Sequence, residues 1–154
     1  MPRPPGLNTI QGTGQGTLPL VVVAAGILGD HAGRVLIAQR PGDGHAGGFW
    51  EFPGGKLKVG ESASAALRRE LEEELGITVE EARPFMHYQH AYPERLVELH
   101  VFVVDRYSGE PRGMEGQPLR WVHVDDLADA DLLPADLPIA TAMTTTKGTG
   151  LRSW

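Results

Sequence analysis

The stretch from Gly54 to Ile77, GGKLKVGESASAALRRELEEELGI, limits the fold more than any other part of the chain. It reads as one helix over residues 61–75, made of strong helix formers, with Glu61 in its first turn and Gly76 just past its end as a stop signal. Each helical residue advances about 100° around the axis. With Leu67 set at zero, Ala63, Leu71 and Leu75 fall at about −40°, +40° and +80°, a stripe that has to be buried. Glu74 falls at about −20°, inside that stripe. Glu70 and Glu73 come at about −60° and −120°, with small Ala66 near −100° between them. Glu72, by contrast, lands at about +140° among solvated positions with Arg68 and Arg69.

The row of glutamates is therefore not a single charged face. Glu70, Glu73 and Glu74 converge at the edge of the core, where they repel one another and lose hydration. Such an arc needs positive charge. A hard divalent cation such as Mg²⁺ or Mn²⁺, which prefers oxygen ligands, meets that need. An arginine packed across the cluster meets it equally well, and helix geometry leaves both readings open. Gly54 and Gly55 lie just before the helix, where the missing side chains let backbone approach a ligand closely. A loop carbonyl together with the helix carboxylates forms a plausible metal cage.

Around this segment the chain reads as one α/β domain over residues 18–143. LPLVVVAAGIL (18–28) is a continuous apolar run suited to a strand covered on both faces. GDHAGR carries turn chemistry, and VLIAQR (35–40) reads as the returning strand of a hairpin. PGDGHAGGFWEFPGGK reads as a Gly-rich loop. ARPFMHYQHAY and RLVELHVFVVDRY form a strand pair turning at YPER, and LRWVHVD is a further strand. A last helix is entered at Pro138. Residues 1–17, rich in Pro, Gly, Thr and Gln, read as a disordered lead-in, and 144–154 as a flexible tail. Strand pairs with interspersed helices predict a mixed-sheet α/β sandwich.

The totals narrow the function. A net charge of −6 argues against broad nucleic-acid binding but allows a small anionic substrate where a local cation reverses the field. The chain has no cysteine, hence no disulfide framework and no thiolate metal site. It holds no apolar run long enough to cross a bilayer.

The helix segment resembles the Nudix hydrolase signature: Gly, five residues, Glu, seven residues, then Arg-Glu-apolar-any-Glu-Glu-any-Gly-apolar. Gly55, Glu61, Arg69, Glu70, Leu71, Glu73, Glu74, Gly76 and Ile77 fill every position. The resemblance implies a Nudix-type α/β/α sandwich around a mixed β-sheet, and hydrolysis of a nucleoside diphosphate linked to another group. It also implies a divalent metal, Mg²⁺ with Mn²⁺ as substitute, and a cytoplasmic monomer. Glu70 and Glu74 are then principal metal ligands, Glu73 a further one and the Gly54 carbonyl the loop-side ligand. Arg69 orients the acids, although its side chain has to reach back around the helix, and Glu61 supports it.

Beyond that segment, AQRP, WEFPGGK, YPER, GEPRGMEGQPLRWV and LLPADLPI are similar to the MutT-type branch, which hydrolyses 8-oxo-dGTP. That likeness implies Glu115 as a metal ligand or base, and Arg40, Arg95 and Phe52 as residues around the nucleotide. Asp136 stands where the best-known members carry an asparagine that reads the base. A carboxylate only accepts hydrogen bonds, whereas an amide also donates. The related CTP pyrophosphohydrolase branch shares PAD followed by Pro, so a cytosine substrate is the alternative, and an inactive nucleotide-binding module is the alternative of another class.

Overall fold

A computed structural model describes residues 18–44 and 46–146. Strand β1 (Leu20–Ile27) is the axis of the larger sheet. It pairs antiparallel with β4 (Gly54–Lys56) on one side and parallel with β6 (Arg95–Ser108) on the other. The edge strand β5 (Thr78–Tyr92) runs antiparallel to β6, giving the order β4-β1-β6-β5. A second, antiparallel sheet has the order β3-β2-β7, from Trp50–Glu51, Arg34–Gln39 and Leu119–His123.

Successive residues of β1 face opposite ways, and both faces are filled. Ala25 and Ile27 join Val97, Leu99, Val101 and Ile139 in one apolar layer, which includes helix α2 (Leu137–Thr146). Ala24 and Leu28 join Leu67, Leu71, Leu75, Phe102 and Val104 under helix α1 (Ala63–Leu75). The strand covered on both faces and the mixed α/β architecture are both as the sequence predicts. Gly26 lets α1 lie close, because a Cβ there would meet Leu67 Cδ1 at 3.1 Å and Leu71 Cδ1 at 3.2 Å.

Several local expectations are corrected. Helix α1 begins at Ala63, not at residue 61, because Ser62 caps it by accepting from the Ala65 N–H. Strands β1 and β2 do not form one hairpin. They meet at a single bridge, Gly29 with Val35, before β2 joins the second sheet. The Asx turn between them is real: Asp30 Oδ1 accepts from the Ala32 and Arg34 N–H groups. The Gly-rich loop contains two short strands, β3 and β4. Residues 144–146, assigned to a flexible tail, are the last turn of α2, where the Thr145 hydroxyl donates to the Thr141 carbonyl. The disordered lead-in and the rest of the tail lie outside the described residues. No helix among the described residues is long and apolar enough to cross a membrane.

Candidate active site

Helix α1 presents its acids to the end of β1 and β4. Glycine makes this approach possible. A Cβ on Gly55 would lie 2.3 Å from the Glu70 carboxyl carbon, and one on Gly54 would lie 2.0 Å from the Ala24 carbonyl oxygen. The Pro53 carbonyl accepts from the Gly26 N–H at 2.8 Å, so the loop is sewn onto β1 where its conformation is most constrained.

Arg69 does reach back around the helix. Its Nε and Nη2 grip both oxygens of Glu61 at 2.8 Å, Nη1 donates to Glu70 Oε2 at 2.9 Å and to Glu73 Oε1 at 3.3 Å, and Nη2 also donates to the Lys56 carbonyl. The bidentate Arg69 pairing and the Lys58 N–H hold the Glu61 carboxyl down at about 2. Glu61 and Glu70 in turn raise the Arg69 guanidinium above its ordinary value. Arginine thus accounts for Glu61, Glu73 and one oxygen of Glu70. Glu73 lies largely in solvent, outside the cleft.

Glu74 is different. Burial, then a hydrogen bond with Glu70, then the charges of Glu70, Glu51 and Glu115 push its carboxyl up to about 9. Four carboxylates therefore converge, contributed by β3, α1 and the loop before β7. The loop is anchored on the end of α1: the Arg112 N–H donates to the Leu75 carbonyl, and the Met114 N–H and Gln117 Nε2 both donate to the Glu74 carbonyl, each at 3.0 Å. Gln117 Oε1 accepts from the Glu115 N–H at 2.9 Å, so one side chain ties Glu115 to the helix. These bonds satisfy carbonyls that the helix end leaves open.

Beside the acids is a cleft of about 360 Å³. Glu70, Glu74, Glu51, Gly54 and Gly55 line its acidic end, and Val23, Val97, Leu99, Leu133 and Ala135 its apolar part. Arg40, Arg95, Phe52 and Asp136 all line the same cleft. Arg40 donates to Glu51 at 3.0 Å, which leaves less of its guanidinium for a ligand than the sequence alone implies. Phe52 is also a core residue, only 3% exposed, and its N–H donates to Asp136 Oδ2 at 2.9 Å. Burial pushes the Asp136 carboxyl up to about 7, against that N–H and with Glu51 adding to the rise. Glu115 lines an adjoining hollow together with Glu51, Glu74, Arg40 and Gln117.

Sequence reasoning passed over Glu51, Gln117 and two tyrosines. The Tyr88 hydroxyl donates to the Ala135 carbonyl, while the Tyr92 hydroxyl accepts from the Ala135 N–H, so β5 clamps both sides of the turn that carries Asp136. The WEF and EGQP strings contained Glu51 and Gln117, but nothing local marks which of their residues face the acids.

A glycine-lined carboxylate cluster on a helix, set against a cleft between two sheets, defines a hydrolase of the Nudix class. Residues 24–142 match the NUDIX domain. The chain is 38% identical over 117 residues to an 8-oxo-dGTP diphosphatase of Escherichia coli, covering 76% of this chain and 91% of that protein. It is 35% identical over 125 residues to the E. coli CTP pyrophosphohydrolase, covering 81% and 92%. A solved MutT structure from a study of Aliivibrio salmonicida and Vibrio cholerae superposes with a TM-score of 0.72 at 37% identity, covering 82% of this chain and 98% of that one. The chain belongs to the Nudix hydrolase family, and its relatives include MutT-type 8-oxo-dGTP diphosphatases.

Proposed function

We propose that this enzyme is a Mg²⁺-dependent nucleoside triphosphate pyrophosphohydrolase acting on 8-oxo-dGTP, which it splits to 8-oxo-dGMP and pyrophosphate, so that it clears oxidised nucleotide before DNA synthesis. The observation that carries this reading is the convergence of Glu51, Glu70 and Glu74 at the acidic end of a nucleotide-sized cleft, with Glu115 beside them in the adjoining hollow.

The donor set fits a hard divalent cation. Burial, the hydrogen bond with Glu70 and the charges of Glu70, Glu51 and Glu115 favour a proton on Glu74, and a cation among those oxygens would take the proton's place. Glu70, Glu74, Glu115 and the Gly54 carbonyl are the proposed ligands, with Glu73 contributing through its contact with Arg69 and through water. Bound Mg²⁺ would supply neutralisation of the triphosphate and a lowered pKa for attacking water.

Everything else falls to the chain's own residues. Arg69 keeps the Glu70 carboxylate turned toward the cleft, and Glu61 keeps Arg69 in place. Arg95 supplies positive charge at the nucleotide end, and Arg40 does so while pairing with Glu51. Glu70 or Glu115 accepts a proton as a water oxygen bonds to the β-phosphorus. The bond from that phosphorus to the α–β bridging oxygen breaks, the monophosphate leaves with that oxygen, and pyrophosphate is the second product. Phosphoryl transfer of this kind needs positioning and charge stabilisation more than covalent chemistry.

A second reading, preference for CTP or 5-methyl-CTP, is favoured by Asp136. Its ionised carboxylate would accept from the cytosine amino group. Protonated, it would both donate and accept, as an amide does. The deciding experiment is a competition panel of 8-oxo-dGTP, dGTP, CTP and 5-methyl-CTP, compared by kcat/KM. The proposal expects 8-oxo-dGTP to lead, with pyrophosphate released and activity abolished by EDTA. A lead for CTP would transfer the assignment to the second reading, and full turnover in excess EDTA would end both.

A further inference from the structure

On the other face of the larger sheet, away from the nucleotide cleft, three metal-binding side chains meet. β5 and β6 place His87 directly opposite His100, and Glu98 two residues before His100 on the same face. Neighbours across and diagonally along a ladder are close enough for side chains of this length to share a point. The His87 and His100 rings stack with centroids 4.0 Å apart. Glu98 Oε2 lies 2.5 Å from His87 Nε2 and 3.3 Å from His100 Nε2, and one donor atom from each residue falls within 4.8 Å of the others. None of the three lines the cleft.

We propose that His87, Glu98 and His100 form a second metal site, selective for a late divalent transition ion of the Zn²⁺ type and separate from the catalytic carboxylates. Two imidazoles and one carboxylate are the ligand set such ions prefer, whereas Mg²⁺ strongly favours oxygen alone. Four-coordinate zinc with ligands at about 2.0–2.1 Å holds them roughly 3.3 Å apart. The Glu98–His100 pair already has that separation. The Glu98–His87 pair is closer because a hydrogen bond joins it, and it has to open by about 0.8 Å. His87 is the most exposed of the three, at 58%, so its ring is free to make that adjustment, and the open side leaves room for a water as fourth ligand. A bound ion would tie the edge strand β5 to β6. The opposite face of the same ladder carries Tyr88 and Leu99, which are paired across it.

The test is a titration of the full chain with Co²⁺ under a large excess of Mg²⁺, which keeps the carboxylate site occupied. Wild type is expected to develop the intense visible bands of four-coordinate Co²⁺ at one equivalent, and Zn²⁺ to displace them. The H87A/H100A double variant is expected to lose these bands and to bind Zn²⁺ at least about tenfold more weakly. It should keep the wild-type kcat/KM with Mg²⁺, which also shows that it is folded. An E98Q variant should be weakened in the same direction. The site is disproved if wild type develops no four-coordinate bands, or if they persist unchanged in the double variant. Either result leaves the nucleotide assignment untouched, because the competition panel is run with Mg²⁺ alone.

Discussion

Glu74→Gln is expected to make the metal-free protein more stable while abolishing its activity. The native Glu74 carboxyl keeps its proton up to about 9, whereas in the unfolded chain it titrates at its usual 4.5. From the lower value upward, unfolding therefore releases a proton, and native stability falls as pH rises until the native group also ionises near the higher value. At pH 8 the span above the usual value is roughly 3.5 units, which at about 1.36 kcal/mol per unit sets an upper bound near 5 kcal/mol. Sharing of the proton with Glu70 and residual solvent contact bring the expected effect to roughly 2–5 kcal/mol. Glutamine has nearly the same shape and no proton to lose, so it removes this slope. The assay is urea denaturation of EDTA-treated wild type and variant at pH 5 and pH 8. The two should nearly coincide at pH 5, and the variant should be the more stable at pH 8. Adding Mg²⁺ at pH 8 should reverse the order, since only wild type gains binding energy from it. Hydrolysis by the variant should fall by about 10²-fold or more. Equal pH slopes in the two metal-free proteins would refute the argument that Glu74 is held protonated among carboxylates.

Gly55→Ala should give a folded protein with Mg²⁺ affinity lowered at least about tenfold, measured by calorimetry, because its Cβ would meet the Glu70 carboxyl at 2.3 Å. Gln117→Ala removes the bond that ties Glu115 to the end of α1. Its kcat should fall several-fold in steady-state kinetics with little change in melting temperature. Asp136→Asn should be more stable than wild type at pH 8 and lose that advantage toward pH 4 in thermal melts, since burial raises the native carboxyl to about 7 from its usual 3.8. In the competition panel the same variant should shift preference away from cytosine nucleotides.

Helix periodicity alone put Glu74 in the core stripe, Glu70 at its edge and Glu72 in solvent, because these placements depend only on residues within one element. It also left the choice between cation and arginine open. In the structure Arg69 meets Glu61, Glu70 and Glu73, whereas Glu74 is set apart by burial and by its hydrogen bond with Glu70. Glu51 was not legible because its position depends on a two-residue strand pairing Trp50 with Gln39 and Glu51 with Ala38. The β1–β2 hairpin failed for a related reason. Both strands are apolar on both faces, so no alternation reveals that the chain changes sheet after Leu28. The start of α1 was missed by one cap: Ser62 begins the helix, and Glu61 is left outside it as the partner of Arg69.

The anchoring of residues 112–117 on the last carbonyls of α1 carries one more consequence. Glu51, Glu74 and Glu115 come from distant points in the chain and meet only after the two sheets and the helix have docked. Helix α1 alone carries Glu70 and Glu74, but no partly folded fragment that lacks either sheet or the 112–117 loop holds the complete reaction centre. Turnover therefore serves as a gauge of the whole native population, and its loss in denaturant should follow the same curve as the far-ultraviolet circular dichroism.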